Sequence, residues 1–152
     1  MRRFLLGVLA ALILTAASSD AFAENFFKRR KEAPIVVAHI TVHSQNLYLT
    51  VNGWPYGSWA VSTAGRGYHT PRGVFTVKRL AKVWFSRKYD NSPMPNSVFF
   101  DGGIAIHGSY HLASLGRPAS HGCVRLHPDN AAKLFALVQK YGMSHTQVIV
   151  TD

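Results

Sequence analysis

Long apolar runs, cysteine and acidic side chains are all scarce in this 152-residue sequence. The longest apolar run, residues 4–14, is shorter than the roughly 20 residues that a membrane-spanning helix requires, which argues against a retained membrane anchor. Arg2 and Arg3 precede this run, and Ala21-Phe22-Ala23 follows it in the small-x-small form that signal peptidase cleaves. The sequence therefore predicts a signal peptide over residues 1–23 and an exported mature chain with no membrane span.

Cysteine occurs once, at Cys123. One thiol cannot close a disulfide within the chain, so the usual use of cysteine in an oxidising compartment is excluded. A buried, inert thiol is the alternative for any lone cysteine. In an exported chain a reactive role is the better explanation, which makes Cys123 the first candidate for chemistry.

Acidic side chains are outnumbered, with 7 Asp and Glu against 17 Lys and Arg. Loss of residues 1–23 leaves 15 basic and 6 acidic side chains among 129 residues, a formal charge of +9. Such a chain suits a polyanionic partner. Export argues against nucleic acid and leaves wall polymers, lipid headgroups and anionic peptides. Four basic residues, 28–31, fall within residues 24–34, which we interpret as a basic linker.

From residue 35 onward, short apolar segments alternate with turn residues, a pattern typical of β structure. Asn52-Gly53 is a strong hairpin signal. A single helix is predicted, because Pro128 opens a segment with apolar residues at three- and four-residue steps, which Gly142 ends. We therefore expect one antiparallel, sheet-dominated domain over residues 35–152. The predicted strands cover residues 35–42, 47–51, 58–62, 74–79, 97–100, 104–107 and 147–151.

A cysteine nucleophile needs a base or a cationic neighbour, because a free thiol with a pKa near 8.5 is only slightly ionised at neutral pH. His121 lies two residues before Cys123, so the two side chains share a face if the segment is extended. His107 follows an apolar strand and precedes Gly108, so it is placed to project from a strand end toward Cys123. With such a neighbour, Cys123 is expected to react with alkylating agents well below pH 8.

A zinc site is an alternative use of these side chains. His107, His111, His121 and Cys123 all supply suitable ligand atoms. Structural zinc sites usually show closely paired ligands, such as two histidines one helix turn apart. His107 and His111 are four residues apart, but the residues between them, Gly108-Ser109-Tyr110, make a poor helix. We therefore expect no metal and no other cofactor.

Two motifs around these residues resemble the signature of the YkuD-type L,D-transpeptidases: Ile106-His107-Gly108-Ser109 and Ser120-His121-Gly122-Cys123-Val124-Arg125. The resemblance covers residues 35–151 and implies a sandwich or barrel-like β fold. The sequence departs from many family members at residues 64–67, Ala-Gly-Arg-Gly, where Thr-Gly-Lys is common. Upstream elements are similar in the same order: Gln45-Asn46-Leu47-Tyr48-Leu49, Asn52-Gly53, Val61-Ser62-Thr63-Ala64-Gly65 and Thr70-Pro71-Arg72-Gly73-Val74-Phe75.

The resemblance implies a role for each motif residue. Cys123 would be the nucleophile and His107 the general base, with the carbonyl of Gly108 or Ser109 orienting its ring. His121, Gly122 and the Cys123 amide would form the wall of the oxyanion site. The substrate-binding residues implied are Ser109, Ser120 and Arg125.

The resemblance also implies an acyltransferase of the periplasm, associated with the cell wall. Its donor would be a tetrapeptide stem of peptidoglycan, cleaved between a diaminopimelate-type residue and D-alanine through a thioester. The acceptor is left open between a second stem, a free amino acid and a wall-anchored protein. Water as acceptor would make an L,D-carboxypeptidase or endopeptidase, and loss of turnover would leave a peptidoglycan-binding module. Residues 84–95, rich in aromatic side chains and proline, suit a lid over the donor site.

Overall fold

The computed structural model describes residues 33–152. The predicted signal peptide and residues 24–32 of the predicted linker lie outside the described residues. Within the described part, eleven strands form two principal sheets and a short hairpin, and one long helix packs against both sheets. The predicted mainly β fold with one main helix is confirmed.

The first sheet has five strands in the spatial order β3-β2-β1-β11-β4. Asn52 and Gly53, with φ of 51° and 78°, make the predicted hairpin turn between β2 and β3, because positive φ at both positions suits the twist of a two-residue hairpin. Pairing is antiparallel except between β1 and β11, which run parallel. The strands are β1 (Val36–Thr41), β2 (Asn46–Val51), β3 (Trp54–Ala60), β4 (Gly73–Thr76) and β11 (Thr146–Thr151).

The second sheet has four strands in the order β10-β9-β8-β5, and β9 and β10 are parallel. One face of this sheet joins the main hydrophobic core through Val98, Phe100, Ile106 and Val124. The opposite face carries a smaller apolar cluster and faces a cleft. The strands are β5 (Arg79–Ala81), β8 (Ser97–Asp101), β9 (Ile104–Gly108) and β10 (Val124–Leu126), and the separate hairpin consists of β6 (Phe85–Ser86) and β7 (Ser92–Pro93).

The helix α1 (Pro128–Tyr141) has the predicted bounds. The ring nitrogen Nδ1 of His127 accepts from the Asp129 N–H at 3.3 Å at its start, and Gly142, with φ of 96°, ends it. Its buried side chains are Ala131, Leu134, Phe135 and Val138, and they join the core shared by both sheets.

Two strand predictions need correction. The third predicted strand, residues 58–62, lies earlier in the chain, at Trp54–Ala60. The predicted strand 74–79 is two strands, because the chain leaves the five-stranded sheet after Thr76 and enters the four-stranded sheet at Arg79. The expectation of a purely antiparallel fold is also incomplete, since two of the strand pairs are parallel.

Candidate active site

A cleft of about 750 Å³ opens on the face of the four-stranded sheet that is turned away from the main core. Its apolar floor is formed by Met94 and Phe99, which cluster with the buried Ala105, and Cys123 packs against this cluster. Strand register explains this arrangement: Phe99 pairs with Ala105, and the pairing of Val124 with Ile106 places Cys123 beside Ala105. The lone thiol of the chain therefore lies at the bottom of the cleft.

His107 lies two residues after Ala105 on β9, so its side chain is on the same sheet face, and it pairs with Arg125 of β10. Its side chain is buried, and its Nδ1 lies 2.7 Å from the Gly108 carbonyl oxygen. A carbonyl oxygen only accepts, so Nδ1 carries the proton and Nε2 is left as the basic nitrogen. Of the two carbonyls expected to orient this ring, the structure selects that of Gly108.

The electrostatics of the pair favour neutral forms. Burial, together with the charge of Arg125, lowers the pKa of His107 to about 4, against the opposing hydrogen bond to Gly108. Burial raises the pKa of the Cys123 thiol, although a backbone hydrogen bond from Ala105 and the Arg125 charge act the other way. Both shifts favour thiol and imidazole as the resting forms near neutral pH, which argues against the expectation of a thiol reactive well below pH 8.

The loop before Cys123 is held by buried hydroxyl groups. Ser120 Oγ donates to the Cys123 carbonyl at 2.6 Å and accepts from the Gly122 N–H at 3.1 Å. Thr70 Oγ1 donates to the Gly122 carbonyl at 2.8 Å and accepts from the Ala64 N–H at 3.0 Å. These bonds fix the backbone on both sides of the nucleophile.

Gly122 itself meets two constraints. Its φ is +134°, and a Cβ there would approach Ile104 Cδ1 at 3.0 Å and the His69 carbonyl at 3.1 Å. Residues 121–123 form a bend and not the extended segment that the spacing of His121 and Cys123 suggested, yet both side chains line the cleft.

Arg125 and Ser109 line the cleft beside His107. The Arg125 guanidinium donates to the Ala119 carbonyl at 3.3 Å, so it braces the loop while its charge acts on His107 and Cys123. Ser109 is buried, and its Oγ accepts from the His111 N–H at 3.2 Å. Ser120, expected to bind substrate, uses its hydroxyl within the loop, and this geometry favours a role in shaping the loop.

His121 lies at the rim, where two tyrosines contact its ring. Tyr89 stacks on it with centroids 4.2 Å apart and planes 15° apart, and Tyr68 meets it edge-on at 4.4 Å. Tyr89 belongs to the turn of the β6–β7 hairpin, which occupies part of residues 84–95 and lines the cleft. The segment suited to a lid thus contacts the predicted oxyanion wall.

Several of these contacts are not predictable from the sequence. Residue type gives Thr70 and Tyr68 no catalytic signal, and the only indication for Thr70 is its place in the Thr-Pro-Arg-Gly element. The sequence around Ala105 indicates only a strand, and its position beside Cys123 follows from the strand register. Among residues 33–152, no group of three or more His, Cys, Asp or Glu side chains is arranged to hold a metal ion.

Comparison with known proteins identifies the family of this domain. Residues 35–150 match the family model of the L,D-transpeptidase catalytic domain, named YkuD. The chain therefore belongs to the L,D-transpeptidase catalytic domain family, a family of acyltransferase enzymes. Comparison with curated proteins gave no significant match.

Solved L,D-transpeptidase structures share the fold. One from Mycobacterium smegmatis has 22% identity and a TM-score of 0.69, covering 78% of this chain and 59% of that one. One from Xylanimonas cellulosilytica has 28% identity and a TM-score of 0.62, covering 78% and 61%. L,D-transpeptidase 3 from Mycobacterium tuberculosis, in complex with a faropenem-derived adduct, has 20% identity and a TM-score of 0.66, with the same coverage of 78% and 61%. The chain spans about three-fifths of the length of these structures.

Proposed function

We propose that the protein is an exported L,D-transpeptidase that acts on peptidoglycan stem peptides, with Cys123 as the nucleophile. The observation that carries this proposal is the placement of the only thiol on the cleft floor, on the same sheet face as an oriented imidazole. The predicted signal peptide supports a periplasmic location. In the part of the chain that the structure describes, no helix is long and apolar enough to cross a membrane.

Acylation begins from the neutral pair. His107 Nε2 accepts the thiol proton as Cys123 Sγ attacks the carbonyl carbon of the diaminopimelate-type residue, next to D-alanine. The carbonyl electrons move to oxygen, and the Cys123 amide is the backbone donor of the proposed oxyanion site. When the tetrahedral intermediate collapses, the C–N bond breaks, the imidazolium gives its proton to the departing amine, and a thioester remains.

Deacylation repeats the proton transfers in the opposite direction. An acceptor amine attacks the thioester carbon while His107 takes one of its protons. Collapse breaks the C–S bond, and the proton returns to the sulfur of Cys123. An amine on a second stem gives a crosslink, and one on a protein or amino acid gives an attachment to the wall. Water as acceptor gives a tripeptide and therefore carboxypeptidase activity.

The test is mass spectrometry of the mature protein, residues 24–152, incubated with disaccharide-tetrapeptide muropeptides. Crosslinked dimers are expected with the wild type and not with Cys123→Ala. Tripeptides alone would replace the proposed transfer by hydrolysis. Equal product from Cys123→Ala would remove this residue as the nucleophile, and no product from either protein would favour a non-catalytic binding module.

A β-lactam provides a second test, independent of the acceptor. A related L,D-transpeptidase carries a faropenem-derived adduct, and a competent Cys123 should be acylated in the same way. We expect a mass increment on the intact protein that maps to the peptide containing Cys123. Absence of any increment, in a protein whose thiol still reacts with a small alkylating agent, would contradict an open and competent site.

A further inference from the structure

Arg79, on the edge strand β5, is held in place by two aromatic rings of the cleft. Its guanidinium carbon lies 3.8 Å from the centroid of Phe99 and 4.2 Å from that of Trp84. The two rings themselves meet edge to face, with centroids 5.6 Å apart. The planes of the two rings are 81° apart, so the guanidinium lies in the corner between them, and those of its N–H groups that face away from both rings are able to donate. Arg79 is therefore a positioned donor at the cleft wall.

This cation has no carboxylate partner among the described residues. Over residues 33–152 the ion pairs are Arg72 with Asp152, Lys78 with Asp101 and His127 with Asp129. The cleft lining is itself strongly basic, with Asp90 its sole acidic residue among those described. Its cationic side chains are Arg79, Arg87, Lys88 and Arg125. A cleft of this charge, with a fixed guanidinium in its wall, suits a ligand that carries a carboxylate.

The strand register places Arg79 in line with the nucleophile. Arg79 pairs with Phe99, Phe99 pairs with Ala105, and Cys123 lies beside Ala105, so the four side chains form one row across the sheet face. Neighbouring strands are about 4.8 Å apart, and the guanidinium lies over Phe99, two strands from Cys123, so the two groups are about 10 Å apart.

That distance distinguishes between the two carboxylates of the proposed donor. The carboxylate of the departing D-alanine is three bonds from the scissile carbonyl carbon, about 4 Å away, and a hydrogen bond extends its reach to about 7 Å, short of Arg79. The side-chain carboxylate of a diaminopimelate-type residue is six C–C bonds away, about 7 Å when extended, and a hydrogen bond adds about 3 Å. Only the second reaches Arg79.

We propose that Arg79 is a specificity-determining residue that binds the side-chain carboxylate of the diaminopimelate-type residue of the donor stem. This inference rests on the proposed function, since it uses the same nucleophile and the same donor. It adds a second point of attachment, about 10 Å from the thiol by the strand spacing, that fixes which carbonyl is presented to Cys123.

The test compares two tetrapeptide donors that differ only at that side chain, one with the free carboxylate and one with its primary amide. Hydrogen bonds to charged groups are strong enough to change affinity by about 10- to 100-fold. We expect the wild type to prefer the acid in kcat/KM by that factor, mainly through KM. Arg79→Gln should lose the preference, because kcat/KM should fall much further for the acid than for the amide. Arg79→Lys should keep part of it.

Lys78→Gln is the matched control, because it removes one positive charge at the preceding residue, which lies outside the cleft lining. It should retain the full preference. If Arg79→Gln lowered turnover of both donors equally, or if the wild type did not distinguish them, Arg79 would be a structural residue and the inference would be wrong.

Binding separates this inference from the proposed function. In the Cys123→Ala background, calorimetry with the two donors measures recognition without turnover, and the acid should bind about 10- to 100-fold more tightly. Turnover of both donors without preference would leave the transpeptidase function standing and overturn the inference. Preferential binding of the acid, without turnover by the wild type, would support the subsite and contradict the function. Equal binding of acid and amide would overturn the inference in either case.

Discussion

Acidification should destabilise this protein through His107, and the size of the effect follows from its burial. The pKa of His107 lies at about 4, and that of an unfolded histidine is about 6.5. Between pH 4 and pH 6.5 this histidine is therefore protonated in the unfolded chain and neutral in the native site. Stability is therefore fully present above pH 6.5 and is lost as the pH falls toward 4, by about 3 kcal/mol in total.

The measurement is the free energy of unfolding by urea at pH 7 and at pH 4.5. Over this interval the His107 contribution falls by about 2 kcal/mol. His107→Gln cannot be protonated, so its unfolding free energy should fall by about 2 kcal/mol less than that of the wild type. The comparison cancels the titration of all other groups and any constant loss of packing.

His43→Gln is the control, since it removes a histidine at an exposed position of the β1–β2 connection and leaves the cleft intact. Its stability should follow the wild type over the same interval. Parallel curves for His107→Gln and the wild type would refute the reasoning, because they would mean that the native site accepts a proton as readily as the unfolded chain does.

Three further predictions concern the nucleophile and its loop. Thr70→Val leaves the Ala64 N–H and the Gly122 carbonyl without their partner, so the free energy of unfolding by denaturant should fall by about 2 kcal/mol or more. Acylation by faropenem should also slow. Thr70→Ser keeps the hydroxyl and should retain both properties. Gly122→Ala forces a Cβ against Ile104 at φ +134°, so acylation should slow at least about tenfold, and an unchanged rate would show that the loop relaxes freely. Alkylation of Cys123 by iodoacetamide should keep rising above pH 8, because burial raises the thiol pKa, and a plateau by pH 7 would instead indicate a preformed ion pair.

The sequence predicted those strands that are long enough to show alternation or lie between clear turns. Strands β1, β2, β8, β9 and β11 and the helix α1 fall close to their expected places. The short strands β6, β7 and β10 span two or three residues, too few for a period to be visible. The break between β4 and β5 was missed because the apolar pattern continues through Val77, which is buried where the chain changes sheets. Parallel pairing depends on contacts distant in the chain and leaves no local pattern.

For the site, too, one part could be predicted from the sequence and another could not. Its reactive residue types were identifiable from the motifs around His107 and Cys123, and the structure brings both to one cleft. Their protonation was not predictable, because it depends on burial by the apolar floor and on the charge of Arg125. The position of Arg79 depends on register across four strands, and Thr70 acts through a hydrogen bond to a residue 52 positions later. Such relations are set by tertiary structure alone.

The parallel pairing of β1 with β11 affects when the domain can fold. The last strand, Thr146–Thr151, lies inside the five-stranded sheet with β1 on one side and β4 on the other. Without this strand, β4 has no neighbour in that sheet and β1 has only β2. The domain therefore cannot complete its core until residues 146–151 are free to pair with both neighbours. Deletion of residues 146–152 should then prevent folding of the whole domain, including a cleft to which those residues contribute no side chain.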